Sequence, residues 1–159
     1  MDMDTALQEL LAEKTGEVQT VTPEMTVSAA VELINARKIG SVLVMDGGRL
    51  VGIFTERDVL RRVVAEGRDP AATALREVMT TALVTCGPDT GVDTCAAVMT
   101  ERRLRHLPVV DDRGLCGLVT IGDLLAFQVG EQQATIEELH RYVFDVRLPA
   151  PAAVRADAP

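Results

Sequence analysis

Slid along itself by 65 positions, the chain falls into register without a gap. Pro23 then meets Pro88, Val27 meets Val92, Arg37 meets Arg102, Val44 meets Val109, Asp46 meets Asp111 and Leu50 meets Leu115. Gly52 meets Gly117, Thr55 meets Thr120, Asp58 meets Asp123 and Leu60 meets Leu125, while Lys38 against Arg103, Ile39 against Leu104 and Ile53 against Leu118 keep their chemical class. Self-similarity at one fixed period means a single supersecondary unit built twice. A unit this short is a poor candidate to stand alone, so the two copies are expected to pack together and bury a continuous core.

In the first copy Val27, Ala30, Val31 and Ile34 recur at helical spacing behind Thr26, which predicts a helix ending near Gly40. Ser41 to Met45 is a β-branched run closed by Asp46-Gly47-Gly48, a hairpin signal, and Leu50 to Phe54 answers it as the second strand. Thr55 or Asp58 then caps another helix. The second copy repeats this order: a helix near Asp93 to Arg103, strands at Leu107 to Val110 and Cys116 to Val119, and a helix from about Asp123. Adding a short initial strand near Val21 or Val84, each copy reads β-α-β-β-α. The predicted class is α+β, with two such motifs related by a pseudo-two-fold axis, their sheets packed face to face, flanked by short N-terminal and C-terminal helices. The expected divisions are an N-terminal helix in 1–16, the first motif over 17–66, a linker over 67–80 and the second motif over 81–130. A C-terminal helix follows over 131–147, with Ile136, Leu139, Tyr142, Val143 and Val146 as its apolar stripe, and then a disordered Ala/Pro-rich tail over 148–159.

Composition narrows the function. The 159 residues carry 16 Lys and Arg against 24 Asp and Glu, a formal net charge of −8, which is the reverse of a nucleic-acid or anionic-membrane footprint. With no Trp and 3% aromatics, stacking platforms for single-stranded nucleic acid are scarce. The basic side chains nevertheless cluster, at Arg57, Arg61 and Arg62 and again at Arg102, Arg103, Arg105 and His106, which suits a small anionic ligand. Cys86, Cys95 and Cys116 make no C-x-x-C pair, so neither a disulfide framework nor a zinc site is expected. No run of the sequence reaches the roughly 18 apolar residues of a membrane span, and the expected location is the cytoplasm.

The segments from Val44 to Asp58 and from His106 to Leu124 resemble the cystathionine-β-synthase (CBS) domain, here as a tandem pair, and with Thr55-Glu56-Arg57-Asp58 and Arg105-His106-Leu107-Pro108 the chain is similar to small stand-alone bacterial members. The resemblance spans about Val18 to Phe127. It implies two clefts between the motifs for an adenosine-containing ligand, with AMP, ADP or ATP foremost and S-adenosylmethionine or NADH as alternatives. It implies no reaction and no required cofactor, the adenine nucleotide being a regulatory ligand. Homodimerisation and signalling to a regulated protein of unknown identity are further expectations from the family.

By the same resemblance, the Asp of each Thr-x-x-Asp segment accepts ribose hydroxyls and the Thr approaches phosphate: Thr55 with Asp58, and Thr120 with Asp123. A carboxylate suits two vicinal hydroxyls, and a helix entrance suits phosphate. The base-facing positions come from the opposite copy: Thr20, Val21, Ile39 and Gly40 toward Asp123, and Thr85, Cys86, Leu104 and Arg105 toward Asp58. Arg57, Arg105 and His106 are candidates to neutralise phosphate, and Gly122 stands where Arg57 stands in the first copy. Asp58 and Asp123 also read as helix caps, a role that can coexist with ribose contact, and the arginines as solvated helix ends. A catalytic reading would rest on Cys86 with His106. A scaffold reading would rest on apolar helix faces that the sheets do not use.

Overall fold

The computed structural model describes residues 5–14 and 16–144, with 140–144 described by their backbone. After a one-residue bridge at Ala6, helix α1 (Leu7–Glu13) leads to strand β1 (Thr20–Val21), helix α2 (Val27–Arg37), strand β2 (Ser41–Asp46) and strand β3 (Arg49–Thr55). A single turn, α3 (Glu56–Asp58), runs on as a π-helical stretch, Val59–Val64. Helix α4 (Leu75–Val78) opens the second repeat, followed by α5 (Val92–Arg102), β4 (His106–Asp111), β5 (Gly114–Thr120) and α6 (Ile121–Phe144). In the first repeat β1 pairs parallel with β2, and β2 antiparallel with β3. In the second, β4 and β5 pair in the same antiparallel register, and the expected first strand shrinks to a single parallel bridge, Cys86 to Val109.

Period-two alternation sorts the strand residues into three cores. Val42, Val44 and Phe54 face α2, α4 and the π-helical stretch, packing with Ala30, Ile34, Val63, Leu75 and Val78. Leu107, Val109 and Val119 face α5 and α6, packing with Val92, Cys95, Met99 and Leu124. The intervening residues Leu43, Ile53 and Leu118 point the other way and meet one another, so the two sheets share a seam. This is the α+β pair of motifs that the repeat predicts.

The short lead-in helices cross over. The helix ahead of the first repeat, α1, inserts Leu7 and Leu10 into the core of the second. Its start is tied there by Leu7 N–H donating to the Thr90 carbonyl, and by the Val92 N–H donating to the Thr5 carbonyl at 2.7 Å. The helix ahead of the second repeat, α4, buries Leu75 and Val78 in the core of the first. Both lead-ins press on a glycine of the repeat they cover. A Cβ on Gly52 would lie 2.6 Å from Met79 Sδ, and one on Gly117 would lie 2.9 Å from Leu11 Cδ2.

One expectation changes. The predicted separate helix over 131–147 is continuous with the last helix of the second motif: nothing between Phe127 and Glu137 interrupts the helical backbone, and Gly130 is carried within α6, its conformational cost of about 1 kcal/mol spread over a 24-residue helix. Residues 145–147 and the tail at 148–159 lie outside the described residues. Within the linker over 67–80 the helical residues are those of α4, where the Glu77 carboxylate accepts from the Ala74 N–H at 2.9 Å. Among the described residues no helix is long and apolar enough to cross a membrane.

Candidate functional site

Both Thr-x-x-Asp segments fold as reciprocal helix caps. Thr55 N–H donates to Asp58 Oδ2 at 3.0 Å while Asp58 N–H donates to Thr55 Oγ1 at 3.3 Å. Thr120 N–H donates to Asp123 Oδ2 at 2.8 Å, and Asp123 N–H to Thr120 Oγ1 at 3.1 Å. The cap satisfies amides that the first helical turn leaves without partners, and it fixes each carboxylate beside a cleft at the seam.

The opposite wall of each cleft comes from the other repeat. Helices α2 and α5 both end on a non-glycine residue in the left-handed region, Lys38 at φ 53° and Arg103 at φ 54°. Each is held by a six-residue closing bond, Ile39 N–H to the Ile34 carbonyl and Leu104 N–H to the Met99 carbonyl. A long side chain in this conformation costs on the order of 1 kcal/mol, and it occurs at the same place in both repeats. The result is one pattern used twice. Ile53, Thr55 and Asp58 face Arg103, Leu104, Arg105 and His106 across the first cleft. Leu118, Thr120 and Asp123 face Lys38, Ile39, Gly40 and Ser41 across the second.

Electrostatics separate the two. Arg57, Arg61, Arg62, Arg103 and Arg105 all line the Asp58 cleft, against Glu56 and Asp58 as its acids. At the equivalent positions of the second repeat pattern stand Gly122, Ala126, Phe127, Lys38 and Gly40. The second cleft is the roomier, about 580 Å³ against about 240 Å³, and it is lined also by Lys14, Glu17, Val18, Gln19 and Arg37. Its wall includes Ser41, whose hydroxyl is fully buried and has no hydrogen-bond partner among the described residues.

The carboxylates also keep different company. Asp58 Oδ1 accepts from Thr80 Oγ1 at 3.1 Å, with Arg62 Nε at 3.6 Å, too long for a hydrogen bond. Asp123 Oδ2 accepts from Lys14 Nζ at 2.8 Å, and the same ammonium donates to the Leu118 carbonyl at 2.7 Å. His106 belongs to both clefts and sits against Gly40, where a Cβ would lie 3.1 Å from its Nε2. Burial holds its imidazole below the ordinary 6.5, with Glu56 opposing and Arg105, Lys14 and Asp123 adjusting the balance, so it is neutral at pH 7.

Of the residues expected at the site, Thr55, Arg57, Asp58, Leu104, Arg105 and His106 come together in the first cleft, and Ile39, Gly40, Thr120 and Asp123 in the second, with Gly40 and His106 shared. The expected initial-strand residues do not join them. Thr20 and Thr85 are exposed, and Val21 is buried in the first core. Cys86 packs against the second core, where its hydrogen bond with Cys95 and then burial push the thiol well above its ordinary range, a poor nucleophile. The chain reaches the clefts slightly earlier than expected, through Val18 and Gln19 in one and Thr80 in the other, because Thr20 and Val21 are committed to pairing with Leu43 and Val44. Gly122 is exposed on the first turn of α6 and lines neither cleft. Lys14, Ser41 and Thr80 were not foreseen as site residues. Ser41 had a signal, since it is the repeat counterpart of His106.

The CBS domain family model matches residues 9–65 and 75–130. YhcV of Bacillus subtilis, a CBS domain-containing protein, is 36% identical over 120 residues, covering 76% of this chain and 85% of that protein. The mitochondrial CBS domain-containing protein CBSX3 of Arabidopsis thaliana is 35% identical over 127 residues, which span 77% of this chain and 62% of that protein. Among solved structures, a candidate signal-transduction protein with CBS domains from Burkholderia ambifaria superposes with a TM-score of 0.77 at 40% identity, covering 81% of this chain and 97% of that one. The CBS domain pair of protein MJ0100, solved in complex with 5′-methylthioadenosine and S-adenosyl-L-methionine, superposes with a TM-score of 0.71 at 26% identity over 81% of this chain and 99% of that one. Two matched motifs, sharing one seam and covering most of the described residues, make this chain a member of the CBS-domain family.

Proposed function

We propose that the chain is a regulatory module that binds an adenosine-containing ligand at the seam between its motifs and signals the result to a partner protein. The ligand class we favour is a phosphate-bearing one, AMP, ADP or ATP, ahead of S-adenosylmethionine or NADH. The observation that carries this reading is the gathering of five guanidinium groups around the Asp58 cleft in a chain whose net charge is −8. Guanidinium pairs with phosphate through two parallel hydrogen bonds, and such charge-assisted bonds are roughly twice as strong as neutral ones. Ile53 and Leu104 offer an apolar slot for the base, and the remaining acceptor capacity of Asp58 suits a ribose. The ligand complex of the MJ0100 pair supports the adenosine part of this reading. A ligand wedged between the repeats shifts their packing only by its differential affinity for two arrangements, and that difference is the signal. The reading is regulatory: Cys86, the thiol that a nucleophilic mechanism would use, packs against the second core and lines neither cleft.

Thermal shift with AMP, ATP, 5′-methylthioadenosine and S-adenosylmethionine tests this. Ligand at 100 times its Kd adds about 2.7 kcal/mol, on the order of 5 to 10 °C for this length. Phosphate-bearing ligands should give the larger shift, and Asp58→Ala, compared with its own unliganded melting point, should abolish the shift from the first cleft. No shift with any of the four overturns the reading.

A second reading, a homodimeric scaffold, is favoured by one observation. Leu60 and Val64 are 64% and 65% exposed, and their repeat counterparts Leu125 and Val129 are 57% and 63% exposed. The same apolar pair is thus presented twice, one turn apart, on the outside of each motif. A second copy of the chain would cover both pairs, and the two readings are compatible.

A further inference from the structure

Lys14 is where the repeat breaks its own pattern. Its counterpart 65 positions on is Met79, which lies flat over Gly52 as an apolar cover. Lys14 instead turns its ammonium into the Asp123 cleft, taking the Asp123 carboxylate at 2.8 Å and the Leu118 carbonyl at 2.7 Å. These partners lie more than 100 residues away in sequence, on the second repeat where α1 is docked, so the contact fixes the end of α1 at the mouth of the cleft. Upstream of Lys14, α1 is already anchored on the second repeat through Leu7, Leu10 and Leu11. Downstream, Gly16 at φ 98° turns the chain so that Glu17, Val18 and Gln19 form the adjoining wall of the same cleft. The ammonium therefore sits on the one carboxylate that a ribose would need, at the end of a docked helix. At the Asp58 cleft no cation is in hydrogen-bond contact with the carboxylate among the described residues: Met79 is apolar, Arg62 stands at 3.6 Å, and Asp58 Oδ1 accepts instead from the neutral Thr80 hydroxyl at 3.1 Å.

We infer that Lys14 is an internal latch on the Asp123 cleft, an ammonium that occupies the ribose-accepting carboxylate and that a ligand must displace, so that the two clefts of one chain fill in sequence, the Asp58 cleft first. This rests on the adenosine reading above. Displacing Lys14 breaks a partly screened, charge-assisted hydrogen bond, a penalty of about tenfold or more in affinity. Once the ammonium is released, the end of α1 loses this tie to the second repeat. Filling of the second cleft is then reported at the N-terminus.

Two measurements decide this. In calorimetric titration with AMP, the unaltered chain should show two steps of unequal affinity. Lys14→Met, which installs the residue that the other repeat uses at this position, should tighten the weaker step by about tenfold and leave the stronger unchanged. Equal steps in the unaltered chain, or a weaker step that Lys14→Met does not tighten, overturn the latch. The second measurement needs no ligand. Trypsin cleavage after Lys14 should accelerate several-fold in Asp123→Asn and not in Asp58→Asn, which perturbs the same cap in the other repeat. Equal rates in the two variants overturn the latch whatever AMP does. Failure of all four adenosine ligands to bind, with the protease contrast intact, overturns instead the nucleotide reading.

Discussion

Replacing Gly52 by alanine should cost more stability than the same change at Gly117, although the two are repeat counterparts. Neither glycine has a left-handed backbone, so the effect is one of space alone. At Gly52 the new methyl meets Met79 Sδ at 2.6 Å, Met79 Cγ at 3.0 Å and the Thr80 carbonyl oxygen at 3.2 Å. The thioether is flexible and can swing away. The carbonyl cannot, because Thr80 is pinned by a pair of backbone bonds, its carbonyl accepting from Ile53 N–H at 3.0 Å and its N–H donating to the Ile53 carbonyl at 2.9 Å. At Gly117 every close atom belongs to Leu11: Cδ2 at 2.9 Å, Cδ1 at 3.2 Å and Cγ at 3.5 Å, the far end of a side chain on a short helix. Overpacking of this kind costs about 1–3 kcal/mol; Gly52→Ala belongs at the top of that range and Gly117→Ala at the bottom. For a chain of this length the first corresponds to a drop of roughly 6 to 12 °C in Tm. Thermal and urea denaturation of both variants measure it, and a cycle with Met79→Ala apportions it. Truncating Met79 should cost less in the Gly52→Ala background than in the unaltered chain, with a coupling of at least about 0.5 kcal/mol. Equal costs at the two glycines would refute the argument that a fixed backbone separates them; the cycle with Met79→Ala reports only the share that the thioether contributes.

Three more outcomes follow from the site. His106 is half-buried and its folded pKa lies below 6.5, so the unfolded chain binds the proton more readily. Its contribution is therefore complete above that value and is lost as pH falls below it, by at most about 1.4 kcal/mol per pH unit; His106→Gln should flatten the slope in urea titrations between pH 7 and 5. Arg61→Ala and Arg105→Ala should each weaken ATP binding in the first cleft by about tenfold and reduce its salt dependence while leaving 5′-methylthioadenosine unaffected, as read by calorimetry at two ionic strengths; an equal loss for both ligands would mean that the arginines support the fold and not the phosphate. Leu60→Glu with Val129→Glu should convert any dimer to monomer in sedimentation equilibrium, since each places a charge on the exposed apolar pairs.

How much of this was legible in the sequence depends on what each residue's position was set by. The two motifs, the alternation of Val42, Leu43 and Val44 and the caps at Thr55 and Thr120 follow from local periodicity and spacing, and a gapless 65-residue offset fixes which residues correspond. The failures are tertiary. Val21 and Cys86 lie where an initial strand belongs, but whether they face a cleft or a core depends on the register of a short parallel pairing, and that register turned Val21 inward. Lys14 sits in a segment outside either motif as read from the sequence, and only the crossing of α1 onto the second repeat carries it to Asp123. The charge difference between the clefts was partly visible in Arg57 against Gly122, yet Arg61 and Arg62 join the first cleft by the course of the chain after Asp58, a π-helical stretch with no counterpart in the continuous α6.

The exchange of lead-in helices has a consequence for how the halves live and die. Because α1 closes the second half and α4 closes the first, severing the chain between them would leave each fragment holding the other's stopper. Neither half has a private state to fall back on. The molecule should come apart in one step, and a lone half, supplied with a twin, would recover its missing piece only by trading it.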